Sequence, residues 1–315
     1  MSLRSIDITG LGSVGPCGPV SGPLRGPVPA PSVVTGWPTA GPRHALTVAP
    51  FRIADVLPKV NTRRLDRLSL WSLASAALAL RDAGLDLSAV DGSRTAVVSA
   101  TGFGCLDLTE AYLGSANEHG WQQTDPIYFP ETLGNVPAAH VARVFGCRGP
   151  NVTVGSRGPA AEAALLTAVS LLRRGQAERA LVLAGDTLTR GLFDWYEAAG
   201  RLSDEQGAFV PSEGVAAMVI ESPGRQRARA RVLDARWVHP DSVERLLGEP
   251  AAATVVSKSR GAPACAIGDG LADTGGLFRI LTALGGAPPA TRLLVLGAAP
   301  TGSWVVVDLE APAHD

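Results

Sequence analysis

Lysine is nearly missing from this 315-residue sequence: Lys59 and Lys258 are the only two. The 28 basic residues are therefore almost all arginine, a bias that together with the abundant alanine reads as genomic base composition. They face 29 acidic residues, for a formal net charge of −1. A chain so balanced carries no electrostatic footprint for nucleic acid or an anionic membrane. Charged residues make up only 18% and apolar ones 46%, which excludes a disordered chain. Cysteine is scarce as well: Cys17, Cys105, Cys147 and Cys265 stand far apart with no CxxC pair, so neither a zinc site nor a disulfide framework is implied. No apolar run approaches the roughly 18 residues of a membrane span. The N-terminus lacks a cationic region followed by an apolar stretch. The expectation is a reduced, soluble, cytoplasmic protein of one large or two small domains.

The first segment alternates Ile6 and Ile8 and runs into Gly10-Leu-Gly12-Ser-Val-Gly15. This spells the dinucleotide fingerprint, which needs a helix N-terminus at the pyrophosphate. The next segment is rich in proline instead: residues 16–50 hold nine of the 24 prolines, no helix starts there, and no acidic residue stands about 20 positions on. The stretch is predicted as an extended surface loop. Further on, helices are predicted over Leu65–Arg81, Asn135–Val144, Pro159–Arg174 and Leu277–Leu284. Strands are predicted over Thr95–Ala100, Asn151–Val154, Arg179–Ala184, Arg227–Arg236, Thr254–Val256, Leu293–Leu296 and Trp304–Leu309, with a hairpin from Phe209–Val210 and Val215–Glu221. Alternation of apolar strands with helices indicates an α/β protein around a covered, mostly parallel sheet.

The order of several short pieces is more specific than composition. Ile8-Thr-Gly-Leu-Gly-Ser-Val-Gly-Pro-Cys-Gly18 resembles the opening strand and turn of β-ketoacyl synthases. Arg64-Leu-Asp-Arg-Leu-Ser69 with Ala76-Ala-Leu-Ala-Leu-Arg-Asp-Ala-Gly-Leu85 resembles their first long helix, and Ala100-Thr-Gly-Phe-Gly104 their glycine-rich turn. Pro126-Ile-Tyr-Phe-Pro130 followed by Asn135 resembles the segment that crosses to the dimer partner. Arg148-Gly-Pro-Asn-Val-Thr-Val154 resembles the strand leading to the nucleophile, and Ser203-Asp-Glu-Gln-Gly-Ala-Phe-Val-Pro-Ser-Glu-Gly214 the loop that closes the first half. The resemblance implies a thiolase-like fold of two stacked βαβαβαββ-type halves, in five layers α-β-α-β-α. The halves would span residues 1–226 and 227–315, the second one shortened.

The family's chemistry resembles a Cys/His/His system, with the thiol at a helix N-terminus where the dipole lowers its pKa. Counting from Gly149-Pro150, the cysteine position falls on Gly158, and a glycine carries no acyl group. One histidine position matches Asp269. The family's His-Gly-Thr-Gly-Thr loop is absent near Ser257-Lys-Ser-Arg-Gly261, and Gly297-Ala-Ala-Pro-Thr-Gly302 stands in place of its C-terminal glycine-rich gate. No catalytic residue is therefore assigned. The resemblance instead implies a chain-length factor, a subunit that pairs with an active ketosynthase and lines the acyl tunnel in type II polyketide or polyene-like synthesis. Tunnel-wall and interface candidates are Leu108, Tyr112, Phe129 and Leu133; the alternative for each is ordinary packing. An acyl carrier protein is the implied second partner, its phosphopantetheine reaching the complex only through the ketosynthase. No metal and no cofactor of the chain's own is expected.

Two other readings stand beside this one. In Val154-Gly-Ser156-Arg-Gly158, a strand–turn–helix places Ser156 somewhat as a nucleophile elbow does, with Asp186 and His239 coming later in triad order. Ser156 as a helix cap or turn residue is the alternative to that. In the third reading, the chain is a homodimeric binding or structural homologue. Asp269 is either a substituted catalytic group or a helix cap, and Arg157 plugs the vestigial site, pairs across the interface or is solvated.

Overall fold

The computed structural model describes residues 5–27, 29–34, 44–86, 92–156, 158–202, 209–224, 227–243, 253–257, 275–299 and 303–312. The strands are β1 (Ile6–Gly15), β2 (Gly18–Ser21), β3 (Ser32–Val33), β4 (His44–Ala45), β5 (Thr95–Thr101), β6 (Asn151–Gly155), β7 (Arg179–Asp186), β8 (Gly214–Glu221), β9 (Ala230–Val238), β10 (Ala253–Ser257), β11 (Arg292–Ala298) and β12 (Trp304–Glu310). The helices are α1 (Ile53–Val56), α2 (Arg67–Asp82), α3 (Leu106–His119), α4 (Val136–Val144), α5 (Ala160–Arg173), α6 (Arg190–Ala198) and α7 (Gly276–Gly286).

Strands up to β8 assemble in the order β6-β5-β7-β8-β1, and the later ones in the order β10-β11-β12-β9. A short antiparallel ladder, Ile6–Ile8 against Ala230–Val232, joins the two groups. Both groups place their first strand beside their last, as two copies of one winding rule would. Among the described residues the second group has four strands against five. The expected boundary at 226/227 adjoins residues 225–226, which lie outside the described residues.

The sheet is mixed rather than mostly parallel. β5 runs parallel to β6 and β7, and β10 to β11, but β7, β1 and β9 meet their other neighbours antiparallel. Apolar strand runs suggest parallel pairing, yet what they report is burial on both faces. The period-two alternation of side chains shows this burial. Ala216, Met218 and Ile220 of β8 enter one core, and Val215, Ala217 and Val219 enter the other. Helix α2 covers one face, against β1, β7 and β8. Helix α5 lies between the two strand groups, touching β5, β6 and β7 on one side and β9, β11 and β12 on the other, with α7 beside it. On the outer face of the second group, Val243 packs with Leu294, Leu296 and Val306. This gives the α-β-α-β-α layering of a thiolase-like fold.

The glycines of the opening segment lie inside β1 rather than at a turn. A Cβ at Gly10 would stand 2.1 Å from the Ala79 carbonyl oxygen, and one at Gly12 2.4 Å from the Ala79 nitrogen. Glycine is required because α2 crosses β1 backbone to backbone. The alanine-rich stretch of α2 serves the same close approach.

Local departures from expectation are few. The proline-rich stretch contains β2, paired with β1, and the small β3–β4 pair. Phe209–Val210 forms no strand, so there is no hairpin there; β8 pairs with β7 and β1 instead. Helices α3 and α6 stand outside the predicted set, α3 for want of a buried stripe and α6 for its polar composition.

Candidate functional site

Strand β6 ends at Gly155, and α5 begins at Ala160 with Pro159 as its N-cap, offering no side-chain cap. Gly158 is buried immediately before that cap, and its carbonyl accepts from the Ala160 amide at 2.8 Å. The place where a nucleophile would meet the helix dipole therefore holds no side chain. Ser156 is half-buried at the end of β6, two residues away from Gly158, and is not the cap. Arg157 and Asp269 lie outside the described residues.

The triad order is not realised in space among the described residues. Asp186 is committed to the glycine-rich turn: it accepts from Thr101 Oγ1 at 2.6 Å and from the amides of Gly102 and Phe103 at 3.0 and 3.1 Å. His239 is exposed and faces Asp241 at 3.3 Å. No described hydrogen bond joins either residue to Ser156. The thiols are poor nucleophiles as well. Burial, reinforced by the nearby charge of Asp66, pushes Cys105 far above the ordinary thiol range, and burial pushes Cys147 up to about 11.

One turn into α5 stands a group that the sequence motifs do not mark. Glu162 is 1% exposed and accepts from Arg279 Nη2 of α7 at 2.8 Å. Gly276 and Gly297 make room for it: a Cβ at either would lie within 2.8 Å of the carboxylate. The same Gly297 Cβ would meet Pro159 at 2.4 Å, so the pair lies directly beneath the helix start. Glu162 Oε2 is buried and accepts no hydrogen bond. The sequence does carry a signal. Glu162 and Arg279 are isolated opposite charges in two otherwise apolar helical turns, Ala160–Leu166 and Leu277–Leu281.

The four tunnel candidates gather around α3 but differ in setting. Leu108 and Tyr112 line a cavity of about 400 Å³ with Tyr128 and Thr124. Tyr112 also meets the rings of Phe129 at 5.9 Å and Trp121 at 6.4 Å. Phe129 is 54% exposed, Leu133 46% and Trp121 62%, with Ile127 and Leu113 exposed beside them in sequence. Exposed apolar side chains this large and this near to one another are uncommon on a monomer surface.

Several recognisable motifs turn out to be scaffold. Asp66 caps α2 by accepting from Leu68 N at 2.8 Å and also accepts from Leu108 N, joining the starts of α2 and α3. Burial raises its carboxyl to about 6, with the charge of Asp107 adding and the two amides opposing. Arg67 binds Asp107 in a two-pronged bridge at 2.9 and 2.7 Å and reaches Glu213 at 3.1 Å. Glu213, raised by burial against the pull of Arg67, takes the amides of Leu188 and Val48.

Residues 48–224 match the family model for the β-ketoacyl synthase N-terminal domain. The chain belongs to the β-ketoacyl synthase family. Among its relatives is a 3-oxoacyl-[acyl-carrier-protein] synthase 2 of Vibrio harveyi, 27% identical over 262 residues, covering 76% of this chain and 62% of that protein. The corresponding synthase of Vibrio cholerae is 26% identical over the same length, covering 76% and 63%. The chain thus spans somewhat over three fifths of the length of these relatives. Among solved structures, an ishigamide ketosynthase/chain length factor superposes with a TM-score of 0.73 at 20% identity, covering 98% of this chain and 100% of that one. The type II polyketide complex AntDE:AntF, a ketosynthase with its acyl carrier protein, superposes with a TM-score of 0.78 at 14% identity, covering 98% and 99%. These ketosynthase-like structures share the fold. Among the described residues no helix is long and apolar enough to cross a membrane, and no group of three or more metal-ligating side chains gathers.

Proposed function

We propose that this chain is a non-catalytic ketosynthase-like subunit that pairs with an active ketosynthase and forms part of the acyl tunnel wall. The observation that carries the reading is the helix start at Gly158, which has no nucleophile and is backed by the Glu162–Arg279 pair. An acyl thioester there would have neither a group to attack it nor an open floor to lie on. The exposed apolar cluster around Phe129, Leu133 and Trp121 supplies a partner surface, and the cavity at Leu108 and Tyr112 opens beside it.

The mechanism is one of packing. A chain grows along the wall while each further buried CH₂ gains about 0.8 kcal/mol, and stops where a fixed side chain blocks it. Tyr112, held by its ring neighbours and by the Thr124 hydroxyl at 3.1 Å, is the blocking group in this reading. Acyl carrier protein is a partner of the complex through the ketosynthase, in type II polyketide or fatty-acid-like polyene synthesis, and the cytoplasm is the place of action.

The test is reconstitution with a co-expressed active ketosynthase and an acyl carrier protein. The expected result is elongation of carrier-bound acyl thioesters by the pair and none by this chain alone. Tyr112→Ala should shift products by at least one two-carbon unit, since the space of the ring admits two CH₂ groups worth about 1.6 kcal/mol. Turnover by this chain alone, or an acyl adduct on Ser156 in its intact mass, overturns the reading. Monomeric behaviour beside every co-expressed ketosynthase does so too.

A further inference from the structure

A second cleft lies beside the middle of β1, near the ends of α2 and α7. It has a volume of about 490 Å³, apolar lining from Leu284, Ala287 and Pro312, and three arginines, Arg25, Arg227 and Arg229. Arginines elsewhere along the same segment are matched. Arg229 is held by both oxygens of Asp82, and Arg231 reaches Asp7 at 3.1 Å. Asp82 also takes the Leu11 amide at 2.9 Å, so its charge is fully engaged. Arg25 and Arg227, by contrast, meet no carboxylate among the described residues, although the chain as a whole has more acidic than basic residues. Two uncompensated guanidiniums beside apolar side chains make a concave site with localised positive charge. Guanidinium forks match the oxygens of a phosphate group two at a time.

We propose that this cleft binds an amphipathic phosphate monoester, with the phosphate on Arg25 and Arg227 and the apolar body on Leu284 and Ala287. A dianionic head accounts for two uncompensated cations in a way that a single carboxylate does not. Arg229, neutralised by Asp82, shapes the wall and contributes little charge. The site lies away from Gly158 and does not depend on the proposed ketosynthase-like role.

Calorimetric titration of the full chain with octyl phosphate, octanoate and octanol tests it. Octyl phosphate is expected to bind at least tenfold more tightly than either of the others. That affinity should fall at least tenfold in R25A/R227A and weaken as salt is raised. Both arginines are exposed, so the double variant is expected to keep the wild-type circular dichroism spectrum. The single variants R25Q and R227Q, each expected to lose at least threefold, keep the test open if it does not. Octyl phosphate binding no tighter than octanol, or unchanged in the variants, overturns the site. Octanoate binding as tightly as octyl phosphate overturns the assignment to a phosphate.

Discussion

Replacing Glu162 by glutamine keeps the shape of a side chain that is 1% exposed but removes its charge, leaving the Arg279 guanidinium buried without its counter-ion. Breaking one side of a buried pair costs about 3–5 kcal/mol, because the stranded charge keeps its desolvation penalty. The lower part of that range is expected here, because Arg279 has a further partner besides Glu162. The pair sits in room left by Gly276 and Gly297, where a Cβ would lie within 2.8 Å of the carboxylate. Arg279→Met should cost a similar amount by stranding Glu162, whose Oε2 already lacks a partner. The double variant Glu162→Gln/Arg279→Met strands nothing, and its stability should lie within about 1 kcal/mol of the wild type. Urea unfolding followed by circular dichroism measures all four proteins, and the cycle isolates the coupling, expected to exceed about 2 kcal/mol. A Glu162→Gln cost below about 1 kcal/mol, or singles that simply add, would refute the idea that the pair is a closed, mutually dependent plug.

Other expectations are simpler. Gly12→Ala should destabilise by several kcal/mol or prevent folding, as read by soluble yield and melting temperature, because its Cβ would stand 2.4 Å from the backbone of α2. Asp66, raised from 3.8 to about 6 by burial, binds its proton more tightly folded than unfolded, so its cost to stability grows as pH rises from about 4 to 6 and is full above that. The wild type should therefore gain up to about 3 kcal/mol relative to Asp66→Asn on acidification from pH 7 to 4; melting temperatures that run parallel across this range would contradict it. Arg67→Ala strands the buried Glu213 and should lower stability by about 2–4 kcal/mol, less than for a fully buried pair because Arg67 is itself 39% exposed. In a Cys265→Ser background, maleimide at pH 7.5 should label Cys17 quickly and Cys105 and Cys147 only on unfolding, since both are buried and held protonated.

What is legible in the sequence is periodic or punctuated. Helix α5 carries its proline and closing glycine within a residue of their expected places, and Gly84 ends α2 with a φ of +70°. Strand direction is not legible, because burial on both faces writes the same apolar run whether a neighbour is parallel or antiparallel. Helix α3 escapes sequence reading because only Ala116 of its fourteen residues is buried, so no stripe marks it. The place of Gly158 at the start of α5 can be counted along one strand and turn. The Glu162–Arg279 pair cannot, since its members are 117 residues apart and meet only through the stacking of α5 against α7.

The family's motifs, by contrast, are held by bonds within the first half of the chain. Asp66 and Glu213 accept from backbone amides, Arg67 bridges Asp107 and Glu213, and Asp186 holds its own turn, joining α2, α3 and the start of β8. Loss of the amide contacts or of the Arg67 bridge removes folding free energy. Gly158 has no side chain to join such a network, and its carbonyl is engaged by the Ala160 amide. A void beneath a helix start costs stability, and filling it stabilises the stack. The Glu162–Arg279 pair fills it with polar atoms, at a desolvation cost that two apolar side chains would not incur. The pair ties α5 to α7 at one register, because its two members meet only when those helices are stacked as they are.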